Sequence, residues 1–227
     1  MKLSLALAAI LMLIALPDAS AADPKRFEGA IKRFEAADKE QPPARGAILF
    51  TGSSSIRMWK TLAADMKGHA TINRGFGGSQ ISDLLHYFDR VVSPYRPSRI
   101  VLYCGENDIN AGETPQQVFG DFKTFESRVN KALPGTPIYY ICMKPSPARW
   151  KKWPTFVIGN KLIREHCGRS ERLHYIDVSA AMLGADGQPL PNIWQKDRLH
   201  MNAEGYKLWT RLVRQALKSD VPAGAAP

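Results

Sequence analysis

Four short segments carry residue types that do chemistry when brought together. Asp197-Arg198-Leu199-His200 places a carboxylate three residues before an imidazole. At that spacing the acid can hold the ring in one tautomer and stabilise its protonated form. Gly52-Ser53-Ser54-Ser55 sets hydroxyls beside a glycine that permits a tight turn. A serine there could be a nucleophile whose oxyanion is caught by its own N–H, or a polar cap before Ile56-Arg57-Met58-Trp59. Gly105-Glu106-Asn107-Asp108 offers an amide that could donate to a developing oxyanion, or an ordinary turn. Asn73-Arg74-Gly75-Phe76-Gly77-Gly78-Ser79-Gln80 has three glycines in four positions, which lets backbone N–H groups approach a ligand. It lacks both the G-x-G-x-x-G dinucleotide fingerprint and the Gly-Lys-Ser/Thr of a phosphate loop. The other histidines, His69, His86, His166 and His174, fall in or beside helix and strand patterns and read as structural.

These segments must be positioned by regular elements. Short β-branched and aromatic runs predict strands over 47–51, 70–73, 99–104, 137–142 and 173–178. Several are apolar almost throughout, as strands covered on both faces are. Helical spacing predicts helices over 24–39, 80–92, 114–133, 156–166 and 203–218. Thr114-Pro115 reads as a cap followed by proline at the first helical position, and Asn202 as the cap of the last helix. Alternating strands and helices imply a parallel sheet with helices on both faces. In such sheets functional residues gather at the carboxyl ends of the strands. Three of the four segments follow predicted strands, and the fourth precedes the last helix. Neither an internal repeat nor an interdomain linker interrupts the pattern, so residues 22–227 read as one domain.

With this order in view, the chain resembles the SGNH hydrolases, the GDSL lipase/esterase superfamily. The resemblance runs from Ile48 to the last helix. Gly52-Ser53-Ser54 matches the family's Gly-Asp-Ser block with serine in place of aspartate. The resemblance implies Ser54 as nucleophile, Asp197 and His200 as its triad partners, and an oxyanion hole of Ser54 N–H, Gly78 N–H and the Asn107 amide. Gly77 is the neighbouring alternative to Gly78. The change at Ser53 bears on local loop geometry, because that aspartate is not a triad member. The resemblance further implies an α/β fold, a three-layer α/β/α flavodoxin-like sandwich with a five-stranded parallel sheet. It implies hydrolysis of acyl esters and thioesters without metal or cofactor. Gly52-Ser53-Ser54-Ser55-Ile56 lacks the second glycine of G-x-S-x-G, and Asp197 lies beside His200, so an α/β-hydrolase fold is not expected.

Substrate choice is less legible. Lys144-Pro145-Ser146-Pro147-Ala148-Arg149-Trp150-Lys151-Lys152-Trp153-Pro154 follows the fourth predicted strand. Trp150 and Trp153 could stack on a sugar or line an acyl pocket, and the basic residues could meet an anionic substrate. Equally, the tryptophans could pack inward at a helix start. Trp194 could also rim the site. The expected activity is hydrolysis of short-chain or acetyl esters, on carbohydrate for example. A lysophospholipase or thioesterase acting on lipid esters is the alternative. A non-catalytic carbohydrate-binding protein on the same fold is a third reading.

Composition bounds these readings. With 44% hydrophobic and 23% charged residues, the chain can bury one large core, which excludes disorder and collagen-like structure. The net charge of +10 favours anionic partners. The Lys and Arg residues are scattered, however, so no specific nucleic-acid partner is expected. Three cysteines without C-x-x-C spacing predict neither a disulfide scaffold nor a zinc site, and no metal is expected. Lys2, the apolar run Leu3 to Leu16 and Ala19-Ser20-Ala21 read as a cleavable leader over 1–21. The mature protein is therefore expected to be exported, periplasmic or secreted, without stable membrane insertion.

Overall fold

The computed structural model describes residues 23–218; the expected leader, residues 1–21, lies outside the described residues. Strands β1 (Ile48–Gly52), β2 (Thr71–Gly75), β3 (Arg99–Tyr103), β4 (Ile138–Ile141) and β5 (Leu173–Ile176) form one sheet. Its order is β2-β1-β3-β4-β5, and every pair is parallel. Each of the five predicted strand regions overlaps one of these strands, with β1 running one residue and β2 two residues past the predicted ends.

The helices are α1 (Glu28–Glu40), α2 (Ser54–Arg57), α3 (Leu62–Asp65), α4 (Ile81–His86), α5 (Phe88–Val91), α6 (Glu106–Asn110), α7 (Pro115–Ala132), α8 (Trp153–Cys167), α9 (Ser179–Met182) and α10 (Ala203–Lys218). Because strand side chains alternate between faces, the sheet feeds two cores. Leu49, Ile100, Leu102, Ile138 and Tyr140 pack on one face with residues of α1, α4, α5, α7 and α8. Phe50, Val101, Tyr103, Tyr139 and Ile141 pack on the other with Ile56, Trp59, Met182, Trp209 and Val213. This is the expected three-layer α/β/α arrangement. No helix among the described residues is long and apolar enough to cross a membrane.

Local chemistry sets the helix ends. Thr114 and Gln117 form a reciprocal capping box at the start of α7, with Pro115 at its first position. Asn202 Oδ1 accepts from the Glu204 and Gly205 N–H groups and caps α10. Its Tyr206, Trp209, Val213 and Leu217 are buried, as the spacing predicts. The helix predicted over 80–92 is broken at Tyr87, whose backbone leaves helical geometry while its hydroxyl donates to Pro24 O at 3.0 Å. Helix α8 starts at Trp153, ahead of the predicted 156, because a 3₁₀ turn over Pro147–Lys152 leads into it. Helices α2, α3, α6 and α9 are too short to show a periodic signal in the sequence.

Candidate active site

The strand register explains why distant segments meet. Gly52 ends β1 opposite Gly75 of β2 and Tyr103 of β3, so three loops leave the sheet side by side. Gly52 is required there. Its φ is +123°, and a Cβ would lie 1.9 Å from Tyr103 O. At the end of β2, a Cβ on Gly75 would meet the Arg57 backbone nitrogen at 2.3 Å, so α2 sits directly on the strand end. Asn73 fastens that contact: its Nδ2 donates to Ile56 O at 2.7 Å and its Oδ1 accepts from Gly75 N–H. The Tyr206 hydroxyl of α10 donates to Ser55 O at 2.8 Å. Ser54, the first residue of α2, is thereby held from two sides.

His200 reaches Ser54 from the opposite wall, with Nε2 2.8 Å from Oγ. Its Nδ1 lies 2.6 Å from Asp197 Oδ2. The other carboxylate oxygen of Asp197 accepts from the Leu199 and His200 N–H groups, both at 2.9 Å. The turn closes because Arg198 adopts the left-handed region, φ +56°, while its N–H donates to Gln195 O. Burial works to raise the Asp197 carboxyl, but the hydrogen bonds from His200 and from the backbone outweigh it and hold the group at about 2. Asp197 is therefore ionised near neutrality. A carboxylate on Nδ1 places the imidazole proton there and leaves Nε2 free to accept the Ser54 proton.

Asn107 stands in the first turn of α6, after Gly105, whose φ is +112°. Its Nδ2 donates to Ser79 O at 2.9 Å, which leaves one amide N–H for another acceptor. Its Oδ1 accepts from Arg149 Nη2 at 2.8 Å. Arg149 also pairs with Glu106, at 3.2 Å, and Lys144 pairs with the other Glu106 oxygen at 2.8 Å. Tyr103 completes this buried cluster by donating its hydroxyl to Glu106. Burial opposes the Glu106 charge, but Lys144 and Arg149 outweigh it and keep the carboxyl below its usual range. Gly78 is in the left-handed region, φ +87°. Neither its N–H nor that of Ser54 has an acceptor among the described residues.

These groups line one cleft of about 830 Å³. Ser54, Gly75, Phe76, Gly77, Gly78, Asn107 and His200 face it, as do Arg26, Phe27, Arg33 and Phe34 from the N-terminal segment and Arg57, Lys60 and Arg149. Sequence reasoning missed the N-terminal wall and the role of Arg149. The amphipathic pattern predicts helix 24–39 but carries no sign of what it covers.

The tryptophans depart from the expected substrate-binding placement: none of Trp150, Trp153 and Trp194 lines the cleft. Trp150 and Trp153 stack on each other at 6.1 Å and 11°, and Trp153 packs against the core. The 3₁₀ turn directs Arg149, rather than either ring, toward the site. Trp194 is buried, with its indole N–H donating to Leu190 O at 2.7 Å. The three cysteines are buried and unpaired.

The sequence pattern of the GDSL-like Lipase/Acylhydrolase family matches residues 38–208. The chain belongs to that family. It is accordingly an ester hydrolase. Solved structures share its fold at low identity. A protein from Streptococcus pneumonia named for platelet activating factor superposes with a TM-score of 0.75 at 18% identity, covering 85% of this chain and 94% of its own. A GDSL-like lipase from Bacteroides thetaiotaomicron gives 0.70 at 18%, with 83% and 97% covered. A catalytic mutant of an acetylxylan esterase from Geobacillus stearothermophilus gives 0.63 at 12%, with 77% and 95% covered. No curated protein matches this acylhydrolase.

Proposed function

We propose that the protein is a serine esterase that hydrolyses short-chain or acetyl esters through Ser54, His200 and Asp197. The observation that carries this reading is the unbroken chain from Ser54 Oγ to His200 Nε2 at 2.8 Å and from His200 Nδ1 to Asp197 at 2.6 Å. His200 takes the hydroxyl proton as Ser54 Oγ attacks the ester carbonyl, and the ionised Asp197 stabilises the imidazolium. The carbonyl oxygen becomes an oxyanion facing the Ser54 and Gly78 N–H groups and the remaining amide N–H of Asn107. Collapse breaks the bond to the alcohol, which leaves with the proton from His200. Water then adds to the acyl-enzyme, giving its proton to His200, and the acid departs as the proton returns to Ser54. Every proton is handled by a residue of the chain, so no step calls for a metal ion or cofactor.

A short acyl group is favoured by the cleft wall. Beyond the reacting groups it consists largely of glycine backbone, arginine and lysine, with the Phe27, Phe34 and Phe76 rings. That offers a long alkyl chain little continuous apolar surface. Acetylated carbohydrate fits this wall, and an acetylxylan esterase shares the fold. Residues 1–21 are proposed as an export leader, which would place the enzyme in a periplasm or outside the cell.

The test is turnover of p-nitrophenyl esters of increasing chain length and of acetylated sugars, by the wild type and by Ser54→Ala. Acetate esters should turn over fastest, and Ser54→Ala should lower turnover by on the order of a million-fold if the subtilisin precedent transfers. Activity retained by Ser54→Ala but lost in Ser53→Ala or Ser55→Ala would assign the nucleophile elsewhere.

A further inference from the structure

The cleft wall carries five cationic side chains, Arg26, Arg33, Arg57, Lys60 and Arg149, and no carboxylate. Two are committed within the protein. Arg26 pairs with Asp83 at 2.8 Å, and Arg149 is held between Glu106 and Asn107. The side chains of Arg33, Arg57 and Lys60 have no ion pair or hydrogen bond among the described residues and are exposed. Some arginines elsewhere are neutralised: Arg74 binds Asp38, Arg90 binds Glu28 and Glu35, and Arg128 binds Asp89. In the proposed catalytic cleft, three cations without a carboxylate partner, Arg33, Arg57 and Lys60, share one wall.

Arg57 fixes where this charge acts. It ends the single-turn helix that Ser54 begins, and its guanidinium folds over the glycine loop. A Cβ added to Gly77 would come within 2.7 Å of Arg57 Nε. One free cation therefore lies beside Gly77, the residue before Gly78, and Lys60 and Arg33 line the same cleft. Gathering like charges on one wall raises their mutual repulsion, which an anionic ligand relieves. A cleft of about 830 Å³ also has room for more than an acetyl group and a small alcohol.

We propose that this site selects acyl esters whose alcohol part bears an oxyanion group, a carboxylate or a phosphate, bound by Arg57, Arg33 and Lys60. The proposal rests on the esterase reading for which bond is cut, and on the cation set alone for which substrate is chosen. Charge-assisted hydrogen bonds of this kind discriminate by roughly ten- to a hundred-fold, and added salt weakens them.

The experiment compares three acetyl esters: an acetylated neutral methyl glycoside, the corresponding uronic acid and the corresponding sugar phosphate. Acetate release by the wild type gives kcat/KM for each. At least one anionic ester should exceed the neutral one by roughly ten-fold or more at low salt, mainly through KM, and the advantage should shrink at high salt. The two anionic arms distinguish carboxylate from phosphate. In Arg57→Gln/Lys60→Gln and in Arg33→Gln the anionic-to-neutral ratio should fall toward one, with unchanged thermal unfolding. Calorimetric binding of the same esters to Ser54→Ala measures the preference without turnover. Neutral and anionic esters bound equally by Ser54→Ala, or a preference that survives the Gln variants, would overturn the subsite. Anionic preference in binding, with no hydrolysis of any ester by the wild type, would support the subsite and overturn the esterase reading.

Discussion

Asp108, the neighbour of Asn107, makes the fold's stability depend on pH in an unusual direction. Its carboxyl is fully buried. Oδ1 accepts the Ile81 N–H at 2.7 Å, while Oδ2 has no partner among the described residues. Acceptor oxygens of Asp108, Glu113 and Asp121 all lie within 4.8 Å of one another. Burial is the main cause that lifts Asp108, aided by the Glu113 and Asp121 charges and opposed by the Ile81 N–H, and the group reaches about 7. Its unfolded value is 3.8. The folded state therefore binds more protons than the unfolded state between these values. The contribution of Asp108 to stability is fully present at or below about pH 4, falls as pH rises through the window, and is lost above about pH 7. About three pH units at 1.36 kcal/mol each give a loss of about 4 kcal/mol.

Asp108→Asn removes this dependence. Its Oδ1 can still accept from Ile81, and the neutral amide buries no charge beside Glu113 and Asp121. The variant should be more stable than wild type at pH 8, by up to about 4 kcal/mol, and the difference should vanish near pH 4. Urea unfolding at both pH values measures it, supported by a rise in Tm of several degrees at pH 8. A difference independent of pH, or a variant less stable than wild type at pH 8, would refute the reasoning. So would a calcium- or magnesium-dependent rise in wild-type Tm at pH 8 that the variant lacks, since the carboxylates would then be ionised around a cation.

Two further outcomes follow from contacts around the cleft. Arg149→Met frees the Asn107 side chain while Lys144 still neutralises Glu106; kcat for an acetate ester should fall roughly ten-fold, less than the hundred-fold or more expected for losing an oxyanion donor outright. An effect confined to KM would show that Arg149 only contacts substrate. Trp153→Ala should lower stability by roughly 2 kcal/mol, short of the cost of a fully buried tryptophan, and leave the ratio of large to small ester efficiencies unchanged. A changed ratio with unchanged unfolding would return this ring to the substrate-binding surface.

What the sequence determined by itself was local. Strand runs, the alternation of strand and helix and the capped starts of α7 and α10 depend on neighbouring residues, and each appears where its pattern predicts. The four segments singled out for their chemistry were legible because each is contiguous. Parallel pairing brings strand ends to one edge, so where those segments gather follows from the architecture. What tertiary structure alone decided depends on residues far apart in the chain. Arg149 is 42 residues from Asn107, and neither segment encodes that the two side chains meet. The N-terminal segment supplies Arg26, Phe27, Arg33 and Phe34 to the cleft, although its pattern shows only that one face is apolar. Trp150, Trp153 and Trp194 lie away from the cleft because a 3₁₀ turn and a buried indole hydrogen bond set where their rings point. The helix over 80–92 breaks at Tyr87, where the ring joins the core and the hydroxyl reaches Pro24. Asp108 has its raised acidity range from desolvation and from acids on α7 and the turn before it, a field that exists only once the chain is packed. Side-chain direction and convergence arise when separate elements dock, and no local pattern of residue types carries them.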